Sequence, residues 1–170
     1  MKNIISIKNL SIVFNKDNKI VKGINLEIAQ GKTTAIVGES GSGKTLSALS
    51  ILKLLPNSAK ISNGEIWFND KDLLKLSDKE IQKIRGNKIT TIFQEPMTSL
   101  NPLHTINKQI EEIILTHTNF NTKKAKNRTI ELLNEVGLEN ISKRQKVYPY
   151  ELSGGQRQRA MIAMSIANNP

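Results

Sequence analysis

Apolar residues near the start fall on almost every second position. Ile5, Ile7, Leu10, Ile12 and Phe14 nearly alternate, and Ile24, Leu26 and Ile28 do so after the polar stretch at residues 15–18. Alternation puts apolar side chains on one face of a strand, so the pattern predicts that an antiparallel β layer opens the chain. Gly31 breaks the pattern. Residues 33–37 then form a short β-rich run that ends in Gly38-Glu39-Ser40-Gly41-Ser42-Gly43, and residues 46–55 take helical spacing up to Pro56. Asn63-Gly64 before Glu65-Ile66-Trp67-Phe68 predicts a turn and a strand. Ser77-Asp78-Lys79-Glu80 is a capping box for a short helix ending near Gly86. After a β-rich run at 89–93 the period changes: Ile106, Ile110, Ile113 and Ile114 repeat helically, as do Ile130, Leu133 and Val136 before Gly137 as a C-cap. Residues from roughly 95 to 150 therefore form a mainly helical section, and the whole reads as α/β.

The chain has 170 residues, 38% hydrophobic and 24% charged, which is ordinary globular composition for about one domain. Its longest apolar runs, at 113–115 and 160–164, are far shorter than the roughly 20 residues that cross a bilayer, and the alternating start does not read as a secretion signal. With no cysteine, disulfides, thiolate metal sites and thiol catalysis are excluded together, and His104 and His117 lack ligand-like spacing. The net charge of +10 suggests an acidic partner, yet only Arg85, Arg128, Arg144, Arg157 and Arg159 of the 25 basic residues are arginine. The densest cluster, Lys123, Lys124, Lys126 and Arg128, has no interleaved aromatics and reads as a solvated helix face. No nucleic-acid partner is expected.

Two segments carry chemistry. Gly38, Glu39, Ser40, Gly41, Ser42, Gly43, Lys44 and Thr45 satisfy the pattern of glycine, four residues, then Gly-Lys-Ser/Thr. Glycines permit turns that aim successive N–H groups inward, and the start of a helix adds its dipole, so the loop is suited to phosphate. Lys44 is expected to reach the β- and γ-phosphates and Thr45 to offer its hydroxyl to Mg²⁺.

The second segment is Leu152-Ser153-Gly154-Gly155-Gln156. Ser153 with Gln156 makes a capping box by itself, but capping needs neither glycine, and two glycines in a first turn cost stability. A phosphate approaching that helix start, with Ser153 as an added donor, accounts for both. One triphosphate is already held by the first loop, so the two anion sites make best sense when they close on the same ATP from two different chains.

The loop GESGSGKT at 38–45, FQEPMTSLNP at 93–102 and YPYELSGGQRQRAMIAM at 148–164 together resemble the nucleotide-binding subunit of ATP-binding cassette (ABC) transporters over essentially the whole chain, and most resemble the oligopeptide and dipeptide importer branch. The resemblance implies an α/β fold: a phosphate-loop core of ABC type with an N-terminal antiparallel β layer, over residues 1–94, then a helical subdomain over 95–151 and the signature motif with its helix over 152–170. It implies that Phe14 stacks on adenine, although Phe14 also reads as a strand-end core residue. It implies that Gln94 touches Mg²⁺ and the attacking water, and that Ser153, Gly154, Gly155 and Gln156 meet the ATP of an opposing subunit. The implied cofactors are ATP and Mg²⁺. The implied partners are a second ATPase subunit, alike or different, arranged head to tail, transmembrane permease subunits, and indirectly a solute-binding protein, at the cytoplasmic face of the cell membrane.

The family pattern continues into a hydrophobic strand with an aspartate, a general-base glutamate and a switch histidine, all beyond the position matching Pro170. The expectation is therefore a fragment whose sheet lacks its C-terminal part, whose residues 33–37 have exposed edges, and which does not hydrolyse ATP by itself. A non-hydrolysing nucleotide-binding remnant and a soluble ABC ATPase outside transport stay open as alternatives.

Overall fold

The computed structural model describes residues 2–15, 18–93, 99–144 and 146–170. They form two compact units, residues 1–81 and 82–170.

The first unit is built on a four-stranded antiparallel sheet in the order β2-β1-β3-β4, from β1 (Asn3–Phe14), β2 (Asn18–Ala29), β3 (Ala59–Phe68) and β4 (Lys71–Asp72). Ile5, Ile7, Leu10 and Ile12 of β1 are buried together with Val21 and Ile66. The step of three between Ile7 and Leu10 is taken up by a bulge: Asn9 has φ 49°, and the register shifts there against both neighbours. A bulge adds one residue without turning the next side chain to the wrong face, so Leu10 and Ile12 stay in the core. The Asn9 amide donates to Asn25 Oδ1 at 2.9 Å, and the Gly23 amide donates to Ser11 Oγ at 3.0 Å.

Gly64, read above as part of a turn, lies instead inside the continuous β3. A Cβ on it would stand 2.6 Å from Leu10 Cα, so glycine is needed for close approach of the two strands at the bulge. Helix α1 (Lys44–Ile51) is shorter than its apolar spacing predicts. It stops before Pro56 because Lys53 takes a left-handed conformation (φ 51°) and ties its ammonium to the Leu76 carbonyl at 2.6 Å.

Residues 33–37 make no strand. They are exposed throughout, Val37 at 88% and Ile36 at 46%. Their side chains suit a strand, but a strand exists only by pairing, and no described residue supplies a ladder to them. The run at 89–93 fares similarly, with one isolated bridge between Ile89 and Arg85 and with Ile92 and Phe93 about half exposed.

The second unit is helical: α2 (Asp78–Gln82) leads into it from the first unit, and α3 (Ile106–His117), α4 (Thr122–Glu135), α5 (Glu139–Ser142) and α6 (Gly154–Ile166) follow. Thr105 and Asn121 cap α3 and α4 by accepting from the Lys108 and Lys124 amides. The apolar stripe Ile106, Ile110 and Ile114 meets Ala125, Leu132 and Leu133 of α4 and Ala160, Met161 and Ala163 of α6 in one buried cluster. Gly137 ends α4 with φ 73°, its amide bonded to the Asn134 carbonyl and the Leu138 amide to the Leu133 carbonyl. On the α4 face, Lys123 and Lys124 are exposed, and Arg128 pairs with Glu131 and Glu135.

Candidate functional site

The glycine loop sits between the end of the sheet and α1. Gly41 (φ 81°) and Gly43 (φ 91°) take left-handed conformations, and the Ser42 amide closes a turn on the Glu39 carbonyl at 3.3 Å. Gly43 caps α1 with backbone alone, with no side-chain cap bond, and no acidic residue stands in the first turn. The positive end of the helix is thus left available to an anion. Glycine at 43 has a local reason as well, since a Cβ there would lie 2.6 Å from Val21 Cγ2. The loop is seated against β2 at the one residue that also starts the helix.

The Lys44 ammonium folds over the loop, donating to the Gly38 carbonyl at 2.8 Å, the Glu39 carbonyl at 2.6 Å and Ser42 Oγ at 3.4 Å. Thr45, next along, is exposed, and Ser47 secures the first turn by donating to the Gly43 carbonyl at 2.9 Å. A lysine ammonium folded over a glycine loop at a helix start that no side chain caps, with the Thr45 hydroxyl exposed beside it, is a donor set that fits phosphate and its Mg²⁺. Phe14 ends β1 in the same unit and is half-buried. Gln94 lies outside the described residues.

The second segment begins α6, in the other unit. Ser153 Oγ accepts from the Gln156 amide at 3.3 Å and Gln156 Oε1 accepts from the Ser153 amide at 2.9 Å, a reciprocal capping box. Ser153, Gly154 and Gly155 are exposed. A Cβ on Gly154 or Gly155 would meet nothing within 4 Å, and neither has a positive φ. Among the described residues nothing requires glycine at either position, in contrast to Gly43 and Gly64. The absent side chains leave room for something that comes from outside.

Three residues hold backbone in the helical unit without having stood out in the sequence, two of them beside the signature. Gln109, buried on α3, accepts from the Asn101 amide at 2.9 Å and donates to the Asn101 and His104 carbonyls at 3.0 and 2.9 Å. Glu151 accepts from the Tyr148 amide at 2.7 Å, and Arg157 Nε donates to the Pro149 carbonyl at 2.7 Å. The Glu at the third position of a turn was a visible signal, but Tyr148 is not one of the usual capping residues. His104 and His117 belong to no metal cluster: no group of three or more His, Cys, Asp or Glu that could hold an ion occurs among the described residues.

An antiparallel β layer, a glycine loop at a helix start and a helical unit ending in a second glycine-rich helix start form the architecture of an ATP-binding cassette. Residues 21–170 match the family profile described as ABC transporter, and the chain belongs to that family. It is 50% identical to the peptidoglycan transport ATP-binding protein YejF of Agrobacterium fabrum over 98% of its own length and 31% of that protein's. It is 44% identical to the oligopeptide transport ATP-binding protein AppD of Bacillus subtilis, over 100% of its own length and 53% of the relative's. The chain thus spans about half or less of the length of these curated relatives. Among solved structures, the dimeric MJ0796, a bacterial ABC transporter cassette, matches with a TM-score of 0.84 at 32% identity, over 98% of this chain and 70% of that one. A post-hydrolysis dimer of the same cassette, bound to ADP and Pi, matches with a TM-score of 0.83.

Proposed function

We propose that the chain is the ATP-binding part of the motor subunit of an ABC importer for peptide-bearing solutes, and that two such subunits close head to tail on MgATP. The observation that carries this reading is the pair Gly154 and Gly155. They are exposed, carry no left-handed strain and have open space where a side chain would be. Bareness at a capped helix start is what a partner-borne phosphate needs.

In this reading the amides of residues 41–45 and the Lys44 ammonium hold the β- and γ-phosphates. Thr45 and Gln94 serve Mg²⁺, which supplies charge neutralisation for phosphoryl transfer. Phe14, half-buried at the end of β1, stacks on the base. Ser153, Gly154, Gly155 and Gln156 face the nucleotide of the opposing subunit. Support for the solute class comes from relatives named for oligopeptide, dipeptide and peptidoglycan transport, and support for dimerisation from the solved dimeric cassettes. No helix among the described residues is long and apolar enough to cross a membrane. This agrees with a subunit that works on separate transmembrane permeases at the cytoplasmic face, with a solute-binding protein acting on their far side.

The test measures two affinities on the full chain: MgATP for the monomer, and chain for chain in the presence of MgATP. Lys44→Ala should lose the first. Ser153→Arg should keep the first and lose the second, because a long side chain takes the space left by the glycines. Unchanged nucleotide affinity in Lys44→Ala defeats the loop assignment, and undiminished association of Ser153→Arg defeats the shared site.

A further inference from the structure

The first turn of α6 contains two glycines at which a Cβ would meet no described residue within 4 Å, so beyond the buried Leu152 and the Ser153–Gln156 capping box the signature has little of its own to hold its shape. Glycine also has more backbone freedom to lose than any other residue. A site that must meet a phosphate in one geometry needs its frame fixed from a neighbouring element. The neighbour is the single 3₁₀ turn Pro149–Glu151, joined to Ser153 through the buried Leu152.

Two straps hold that turn. Glu151 reaches backwards, one carboxylate oxygen accepting from the Tyr148 amide at 2.7 Å and the other from Arg144 Nη2 at 3.0 Å. Arg157, from the first turns of α6, also reaches back and donates Nε to the Pro149 carbonyl at 2.7 Å. The Tyr148 and Tyr150 rings stack on each other with centroids 5.5 Å apart. The two legs of Glu151 are unequal. Its link to Arg144 joins a side chain 61% exposed to one 29% exposed, and such surface pairs contribute little. The link to the Tyr148 amide is short and charge-assisted, and it is the stronger one.

We infer that Glu151 is a positioning residue for the shared nucleotide site: its carboxylate, acting with Arg157, fixes the turn that sets the direction of the Ser153 cap and of the Gly154 and Gly155 amides. The inference rests on the reading of the signature given above. It predicts that Glu151 governs association between chains and leaves each chain's own nucleotide loop untouched.

The experiment compares Glu151→Ala, Glu151→Gln, Arg144→Ala and Ser153→Arg in the full chain, measuring ATP affinity by titration and MgATP-dependent association by sedimentation. Glu151→Ala should weaken association by about tenfold or more, the equivalent of one lost charge-assisted bond, with its ATP affinity unchanged. Glu151→Gln keeps an oxygen for the Tyr148 amide and should restore association. Arg144→Ala, which removes only the exposed leg, should stay within about threefold of wild type. If Glu151→Ala associates like wild type while Ser153→Arg is blocked, the positioning role is overturned and the signature reading survives. Loss of ATP affinity in Glu151→Ala also overturns it, by showing general damage. If Ser153→Arg itself associates normally, the signature reading has failed, and the positioning role fails with it.

Discussion

Gly43 and Val21 stand so close that a Cβ on the glycine would lie 2.6 Å from Val21 Cγ2. The residue that caps α1 therefore packs against β2 too closely for any side chain, and the phosphate loop is seated on the sheet at that point. Gly43→Ala adds this clash to a left-handed conformation that costs an L-residue about 1–2 kcal/mol. We expect the variant to lose at least that much stability, measured by denaturant unfolding. The double variant with Val21→Ala should be more stable than the sum of the two single changes predicts, because only the steric part is relieved. Strict additivity would show that contact with β2 does not constrain the loop.

Lys44→Ala removes the ammonium held over the glycine loop, at 2.8 and 2.6 Å from two loop carbonyls. Losing bonds from a charged group to phosphate should cost about 1.5–3 kcal/mol, or roughly 10- to 150-fold in ATP affinity. Isothermal titration of the variant reads this directly.

Gly155→Ala should act in opposite directions on two measurements. Helical φ and open space allow the methyl group, so the folded chain should gain about 0.4–1 kcal/mol in unfolding experiments. The same methyl group intrudes where a partner's phosphate must approach, and MgATP-dependent association should weaken. A variant that is more stable and associates undiminished would remove the case for an outside visitor.

Gln109→Leu should loosen the segment between Asn101 and His104. The Gln109 amide is bonded to that backbone three times, and each such hydrogen bond contributes about 0.5–1.5 kcal/mol net. Amide exchange at Asn101, whose N–H loses its acceptor, should rise in the variant while α4 keeps its protection.

Residues 33–37 should exchange their amide protons within the fastest class of the molecule. They are exposed and make no ladder, and protection follows stable hydrogen bonding. Slow exchange in the isolated chain would show that these residues have found a strand partner.

Much of this was legible in the sequence, for reasons that differ from element to element. The near-alternation of β1 carried its own irregularity: the step of three from Ile7 to Leu10 is the bulge at Asn9, visible as a broken period. The signature cap was legible because Ser153 and Gln156 satisfy each other within one turn. Gly64 was misread because an Asn-Gly pair states only that the backbone needs freedom. Whether that freedom serves a turn or a close approach depends on Leu10, 54 positions away. Residues 33–37 have strand-forming side chains, but a strand is a property of two segments, and only one was in view. Gln109 and Glu151 left no clear periodic trace, since their partners are backbone groups in irregular stretches whose course no local pattern sets.

The bare helix start at Gly154 and Gly155 also bears on how this chain changes over generations. A single-base substitution converts any glycine codon to alanine, and by the structure's own packing that change is welcomed at both positions. A lineage whose copy no longer met a nucleotide-bearing partner would therefore drift toward alanine there, with folding as no obstacle. The two glycines are a wear gauge: their persistence or loss among descendants of this gene reports whether the chain is still at work with a companion.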